Sequence, residues 1–171
     1  MEFRDLKASE IEVRVQSVKR TGVVLLLYKD ARVDQSILDE TVGAEKWQKE
    51  FYSCKDSLFC KVGIKCGDEW IWKADCGTES NMEAKKGEAS DSFKRACFNW
   101  GIGRELYTSP FIFIPAGVDG TTYANIENGK CYDKFVVEAI KIENKQIVGL
   151  AIRNETLGRR VYKHFKEEEK K

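Results

Sequence analysis

Lys94 and Arg95 stand side by side in the stretch ASDSFKRACFNWGIGREL, with Phe98 one helical turn after Lys94 and Arg104 beyond two glycines. Lys85 and Lys86 precede them, and Arg32 opens an earlier apolar segment. Cations interleaved with an aromatic ring are the residue types that hold phosphates and stack bases without reading sequence. The same spacing also describes an amphipathic helix whose cations are merely solvated. On spacing alone both meanings stand.

Other chemistries find less support. There is no G-x-x-x-x-G-K-[ST], and the pair Gly101 and Gly103 follows a helical pattern where a phosphate cradle precedes one. No G-x-S-x-G is present, and His164 is the only histidine, beside a charged tail. The six cysteines form no C-x-x-C pair, which points to reduced, mostly buried thiols and to no metal. Asp68, Glu69, Asp75 and Glu79 near strand ends could hold magnesium for nuclease work, although turn acids are commoner than metal sites.

The 171 residues are 42% hydrophobic, with nine Phe, six Tyr and four Trp, enough for one sizeable core. A single domain over 1–165 is expected, with its core at about 10–115, a C-terminal β extension at about 130–165 and a charged tail at 166–171. The 29 basic and 28 acidic residues nearly cancel, so attraction to a polyanion depends on where the charges sit. The N-terminus MEFRDLKASE has no apolar run, and no segment approaches the length of a membrane span. A cytoplasmic location is the expectation.

Several elements must position these residues. EIEVRVQSV alternates as a half-wet strand, and VVLLLYK reads as a buried one. From Asp30, a helix capped by that aspartate and ended by Gly43 sets Val33, Ile37, Leu38 and Val42 near one face. WQKEFYSC, SLFCKVGIKC and EWIWKADCG form a three-stranded antiparallel meander. The expected core face of the third strand carries Trp70, Trp72, Ala74 and Cys76, and Lys61, Lys65 and Lys73 are expected as a positive strip on the opposite side. A long helix over roughly Met82–Trp100 then buries Ala89, Phe93, Ala96, Cys97 and Trp100, which sends Lys94 and Arg95 off its two flanks and Phe98 away from the core. KFVVEAIKIENKQIVGLAIRN reads as a hairpin turning near Asn144 and Lys145, followed by the strand RRVYKHF. The fold class is therefore α+β: a β-meander packed on a long amphipathic helix, with an extra C-terminal β-hairpin.

The stretch GEASDSFKRACFNWGIGRELY resembles the signature helix of the Rad-fifty-two superfamily of single-strand annealing proteins. The order agrees at Asp91, Phe93, Lys94, Arg95, Ala96, Trp100 and Gly101. YKDARVDQSILDETVGAEKW is similar to the family's first strand and helix at Arg32, Val33, Gly43 and Trp47. The resemblance covers about residues 10–107 and is nearest in size to phage or prophage annealing proteins of Sak type. It implies that Arg32, Lys94 and Arg95 grip the backbone of single-stranded DNA and that complementary strands anneal without ATP, cofactor or catalytic step. It also implies a homo-oligomeric ring or helical arc in a bacterial cytoplasm, with a single-strand-binding protein or an exonuclease as further partner. Where the family often carries another cation, this chain has Phe98, and base stacking by Phe98 is set beside its burial in a contact between protomers. The alternatives are a single-stranded nucleic-acid binding protein that does not anneal, and the magnesium-dependent nuclease.

Overall fold

Two-residue turns fix the register of the middle of the chain. In the computed structural model, which describes residues 1–78 and 84–166, Lys55 and Asp56 both adopt positive φ, 50° and 61°, so Cys54 pairs directly with Ser57. Gly67 turns at φ 64°, and Cys66 pairs with Glu69. Turns of this kind match the right-handed twist of the strands they join.

The strands are β1 (Glu12–Lys19), β2 (Gly22–Tyr28), β3 (Trp47–Cys54), β4 (Ser57–Cys66), β5 (Glu69–Cys76), β6 (Ile112–Pro115), β7 (Gly117–Val118), β8 (Thr121–Thr122), β9 (Phe135–Glu143), β10 (Gln146–Asn154) and β11 (Arg159–Phe165). The helices are α1 (Ala31–Val42) and α2 (Ala84–Trp100). They divide into two compact units, one of Met1–Asp5 with Asp30–Gly103, the other of Leu6–Lys29 with Arg104–Lys171.

The first unit holds α1, the β3-β4-β5 meander and α2. Asp30 caps α1 by accepting from the Arg32 N–H at 2.8 Å, and Gly43, at φ 92°, ends it with its N–H on the Asp39 carbonyl. Ile37, Leu38 and Asp34 form its buried side, with Val33 and Val42 only half-buried. Trp47 begins β3, donates from Nε1 to Asp39 at 2.6 Å and lies 6.2 Å from the Phe93 ring. Helix α2 buries Phe93, Ala96 and Cys97 against β4 and β5, where Cys60, Val62 and Ile64 are fully buried. Gly101, at φ 105°, stops it: its N–H returns to the Phe98 carbonyl and that of Ile102 to the Cys97 carbonyl, while Ile102 is buried.

One face assignment is reversed. Because Cys60, Val62 and Ile64 pair with Asp75, Lys73 and Ile71, those β5 residues share the helix side. Trp70, Trp72, Ala74 and Cys76 therefore lie on the outer face, with Phe59, Lys61, Gly63 and Lys65. The positive strip of Lys61, Lys65 and Lys73 does not form, since Lys73 points to α2, donating to the Asn99 carbonyl at 2.9 Å with its ammonium 4.5 Å from the Trp100 ring.

In the second unit, β1 and β2 join the C-terminal strands in a six-stranded sheet of order β11-β10-β9-β1-β2-β6. The expected hairpin is β9-β10, turning through Asn144 and Lys145 at positive φ, and RRVYKHF forms β11. The sheet curls until its end strands meet, with the Tyr162 hydroxyl donating to the Phe111 carbonyl. Val23, Leu25, Ile112, Ile114, Phe135, Leu150 and Ile152 are buried in it. The segment after Tyr107 contains β6 and the small β7-β8 ladder. Of the charged tail, only Lys166 lies among the described residues.

Burial raises the Cys60 thiol to about 11. At pH 8 about one molecule in a thousand then carries its thiolate, whereas Cys54 is exposed. Mass spectrometry after brief alkylation should show Cys54 labelled and Cys60 protected until denaturant is added. Trp100 donates to the Val62 carbonyl at 2.9 Å. Trp100→Ala should lower unfolding free energy by about 3 kcal/mol or more in denaturant melts, and Trp100→Phe, which loses the hydrogen bond, by about 1 kcal/mol.

Candidate nucleic-acid interface

Two carboxylates on the first unit, Asp30 and Asp75, hold the arginines of its two helices. Asp30, already the cap of α1, also accepts from Arg32 Nε and Nη2, each at 3.0 Å. The fork holds a guanidinium that is 85% exposed. The charge of Lys94, on the flank of α2, also favours the ionised form of that carboxylate, more weakly than Arg32 does. The side-chain and backbone hydrogen bonds with Arg32 hold the Asp30 carboxyl down to about 2 against the opposing effect of burial, with the charges of Arg32 and Lys94 adding less.

Arg95 leaves the other flank of α2 and meets Asp75 of β5, Nε to Oδ1 at 3.2 Å, in a half-exposed ion pair. Asn99, one turn later, donates to the Ala74 carbonyl at 3.0 Å. Phe98 is half-buried. The expected divergence of Lys94 and Arg95 is thus observed, and the partner of Arg95 is a residue that the sequence offered only as a candidate magnesium ligand.

What fixes α2 itself escaped the sequence reading. Glu88 accepts from the Leu58 N–H at 2.7 Å, and Asp91 from the Thr78 N–H at 3.0 Å. These carboxylates satisfy strand-end donors that would otherwise face the helix. Gly77 permits the approach, since a Cβ there would stand 2.2 Å from the Glu88 carbonyl oxygen. A glycine after a strand and two acids early in a helix carry this signal, but no spacing rule pairs them.

Lys85 and Lys86 lie in the first turn of α2, with side chains outside the described residues, and Arg104 is exposed in the second unit. Asp68 and Asp75 are seven residues apart along an extended strand, about 24 Å at 3.4 Å per residue, and Glu79 lies outside the described residues. Among the described residues no three His, Cys, Asp or Glu side chains come together in a group that could hold a metal ion, and no helix is long and apolar enough to cross a membrane.

A helix laid on a three-stranded meander, with arginine and lysine presented along its solvent side, is the architecture on which the comparisons with known proteins bear. Residues 3–125 match the Rad52/22 family of double-strand break repair proteins, and the chain belongs to that family. The match extends beyond the 10–107 of the motif resemblance and includes the whole first unit after its first two residues. Over 122 residues the chain is 30% identical to the single-stranded DNA-binding protein DdrA of Deinococcus radiodurans, covering 61% of this chain and 58% of that protein. It therefore spans under two thirds of that relative's length. No solved structure matches the chain.

The depressed Asp30 carboxyl gives a signed pH dependence. Its pairing stabilises the folded chain fully above the unfolded value near 4 and is lost as pH falls through about 2. The stability difference between wild type and Asp30→Asn should therefore be constant from pH 5 to 7 and shrink between about pH 4 and 2. Urea melts across that range check it.

Proposed function

We propose that this protein binds single-stranded DNA through its sugar–phosphate backbone and anneals complementary strands in recombination and repair, without ATP and without a catalytic step. The observation that supports this best is the family match. It takes in the complete α1-meander-α2 unit, where Arg32, Lys94 and Arg95 stand on the outside of two helices. The name of the Deinococcus relative adds single-stranded DNA as the ligand class.

The chemistry of annealing agrees with the side chains present. Two strands repel through their phosphates, so a protein that brings them together needs cations toward the backbone and no side chains that occupy base edges. Base pairing then supplies the free energy. A chain of net charge +1 has little long-range attraction of its own. Assembly of many copies into a ring or arc lines up their few cations into a continuous track, and oligomers of this kind form part of the proposal. So do a bacterial cytoplasm, a phage-type recombinase role and an accompanying exonuclease or single-strand-binding protein.

Carboxylates tune the track. Asp30 holds Arg32, and a phosphate approaching that guanidinium competes with it. Arg95 serves two purposes, since its removal takes the counter-ion from a half-buried Asp75 that still accepts from the Cys76 N–H and Asn99. Lys94 is the cleaner probe.

Lys94→Ala should weaken binding to unstructured oligonucleotides of every sequence alike and lower the log–log salt slope by about 0.7. Asp30→Asn should strengthen binding, because it removes the competing anion. Fluorescence anisotropy at several salt concentrations measures both, and unchanged affinity in a folded Lys94→Ala variant defeats the assignment. Complementary oligonucleotides mixed with the protein should anneal without ATP, equally with and without magnesium and with no strand cut. Binding without annealing leaves only the protective role, and magnesium-dependent cleavage establishes the nuclease.

A further inference from the structure

The sheet face turned away from α2 has no part in the contacts assigned so far. From the register, its rows read Lys65 beside Trp70, Gly63 beside Trp72, Glu50 beside Lys61 and Ala74, and Tyr52 beside Phe59 and Cys76. Four aromatic rings thus share one surface with two lysines and one glutamate. Tyr52 is 43% and Trp70 37% exposed, although such rings are commonly buried.

We infer that this outer face of the β3-β4-β5 sheet is a second nucleic-acid contact, one that stacks the bases of a single strand; the inference rests on the single-strand reading above. The rings are arranged as platforms. Trp72 lies flat over bare backbone, because a Cβ on Gly63 would come within 2.8–2.9 Å of three of its ring atoms. Its face also receives Lys61 Nζ at 4.5 Å, and Trp70 follows at 6.2 Å between ring centroids. At the other end Tyr52 stacks on Phe59, centroids 5.3 Å apart and planes 22° from parallel. Lys61 stands between the two clusters, held at 2.9 Å by Glu50.

From Phe59 to Gly63 the strand advances about 14 Å, a span suited to the two or three bases that aromatic-bearing sheets stack. Every base offers a π-face, so such a surface selects single strands over duplex and is indifferent to sequence. The charges decide the occupant. A dry contact with a second copy would have a centre depleted of Lys and Glu, and here Lys61 and Glu50 are central, with Lys65 beside Trp70. The face carries two cations against one anion, which suits a polyanion.

The test compares oligodeoxythymidylate with an abasic sugar–phosphate strand of equal length, using wild type, Tyr52→Ala/Trp70→Ala and Lys94→Ala. Trp70→Leu alone serves as a second variant that keeps apolar bulk and loses the π-face, and melting curves verify folding. The double variant should lose about fivefold or more of its affinity for oligodeoxythymidylate and none for the abasic strand, at an unchanged salt slope. Lys94→Ala should weaken both. Equal loss on both strands, no loss on either, or a fall in particle mass by sedimentation overturns the stacking face while leaving the backbone reading intact. A wild-type protein that binds neither strand overturns the single-strand reading itself.

Discussion

Helix α2 lies so close to the end of β5 that a single methyl group at Gly77 would collide with the Glu88 carbonyl, and that approach governs how the helix sits on the meander. The approach lets Glu88 and Asp91 reach the Leu58 and Thr78 N–H groups, so the helix is anchored through main-chain donors. Farther along, Lys73 and Asn99 cross between strand and helix, and Trp100 closes on the Val62 carbonyl. A helix tied at both ends cannot roll. Its rotation leaves Lys94 on the α1 flank and Arg95 on the β5 flank, which makes the direction of two cations a consequence of backbone geometry.

The near balance of charge over the chain takes a definite local form. Asp30 pairs with Arg32, Asp75 with Arg95 and Glu50 with Lys61, each acid setting the direction of one cation. Exposed pairs of this sort add little to stability. Their effect is orientation, since a guanidinium held in a bidentate fork has already lost freedom that a phosphate contact would otherwise have to remove. The price is competition between carboxylate and phosphate.

Much of this was legible in the residues. The cap at Asp30, the stop at Gly101, the turn at Asn144 and Lys145 and the divergence of Lys94 from Arg95 all follow from local rules about turns, caps and helical period, and the structure has each of them. The face of β5 was misread because alternation separates two sides of a strand without saying which is inside. Large aromatics then pulled the assignment inward. The information was nevertheless present: a two-residue turn at Gly67 and Asp68 pairs Cys66 with Glu69, which puts Trp72 beside Gly63 and Lys73 beside Val62. Non-local facts were out of reach. The Arg95–Asp75 pair, the Gly77 approach and the return of β1 and β2 to the C-terminal strands depend on contacts that no window of sequence contains.

The two sides of the meander differ in a way that matters for annealing as proposed. In the proposed arrangement, cations on the helix side would engage phosphates and leave bases unconstrained, so a flexible strand held only there would be free to collapse on itself. On the outer side, flat rings would engage base faces and leave the pairing edges open to solvent. Contacts to both backbone and π-face hold a strand extended, and neither blocks a complementary partner from pairing with it. Sequence-indifferent annealing requires just that combination, and a sheet only three strands wide can offer it because one helix covers a single face.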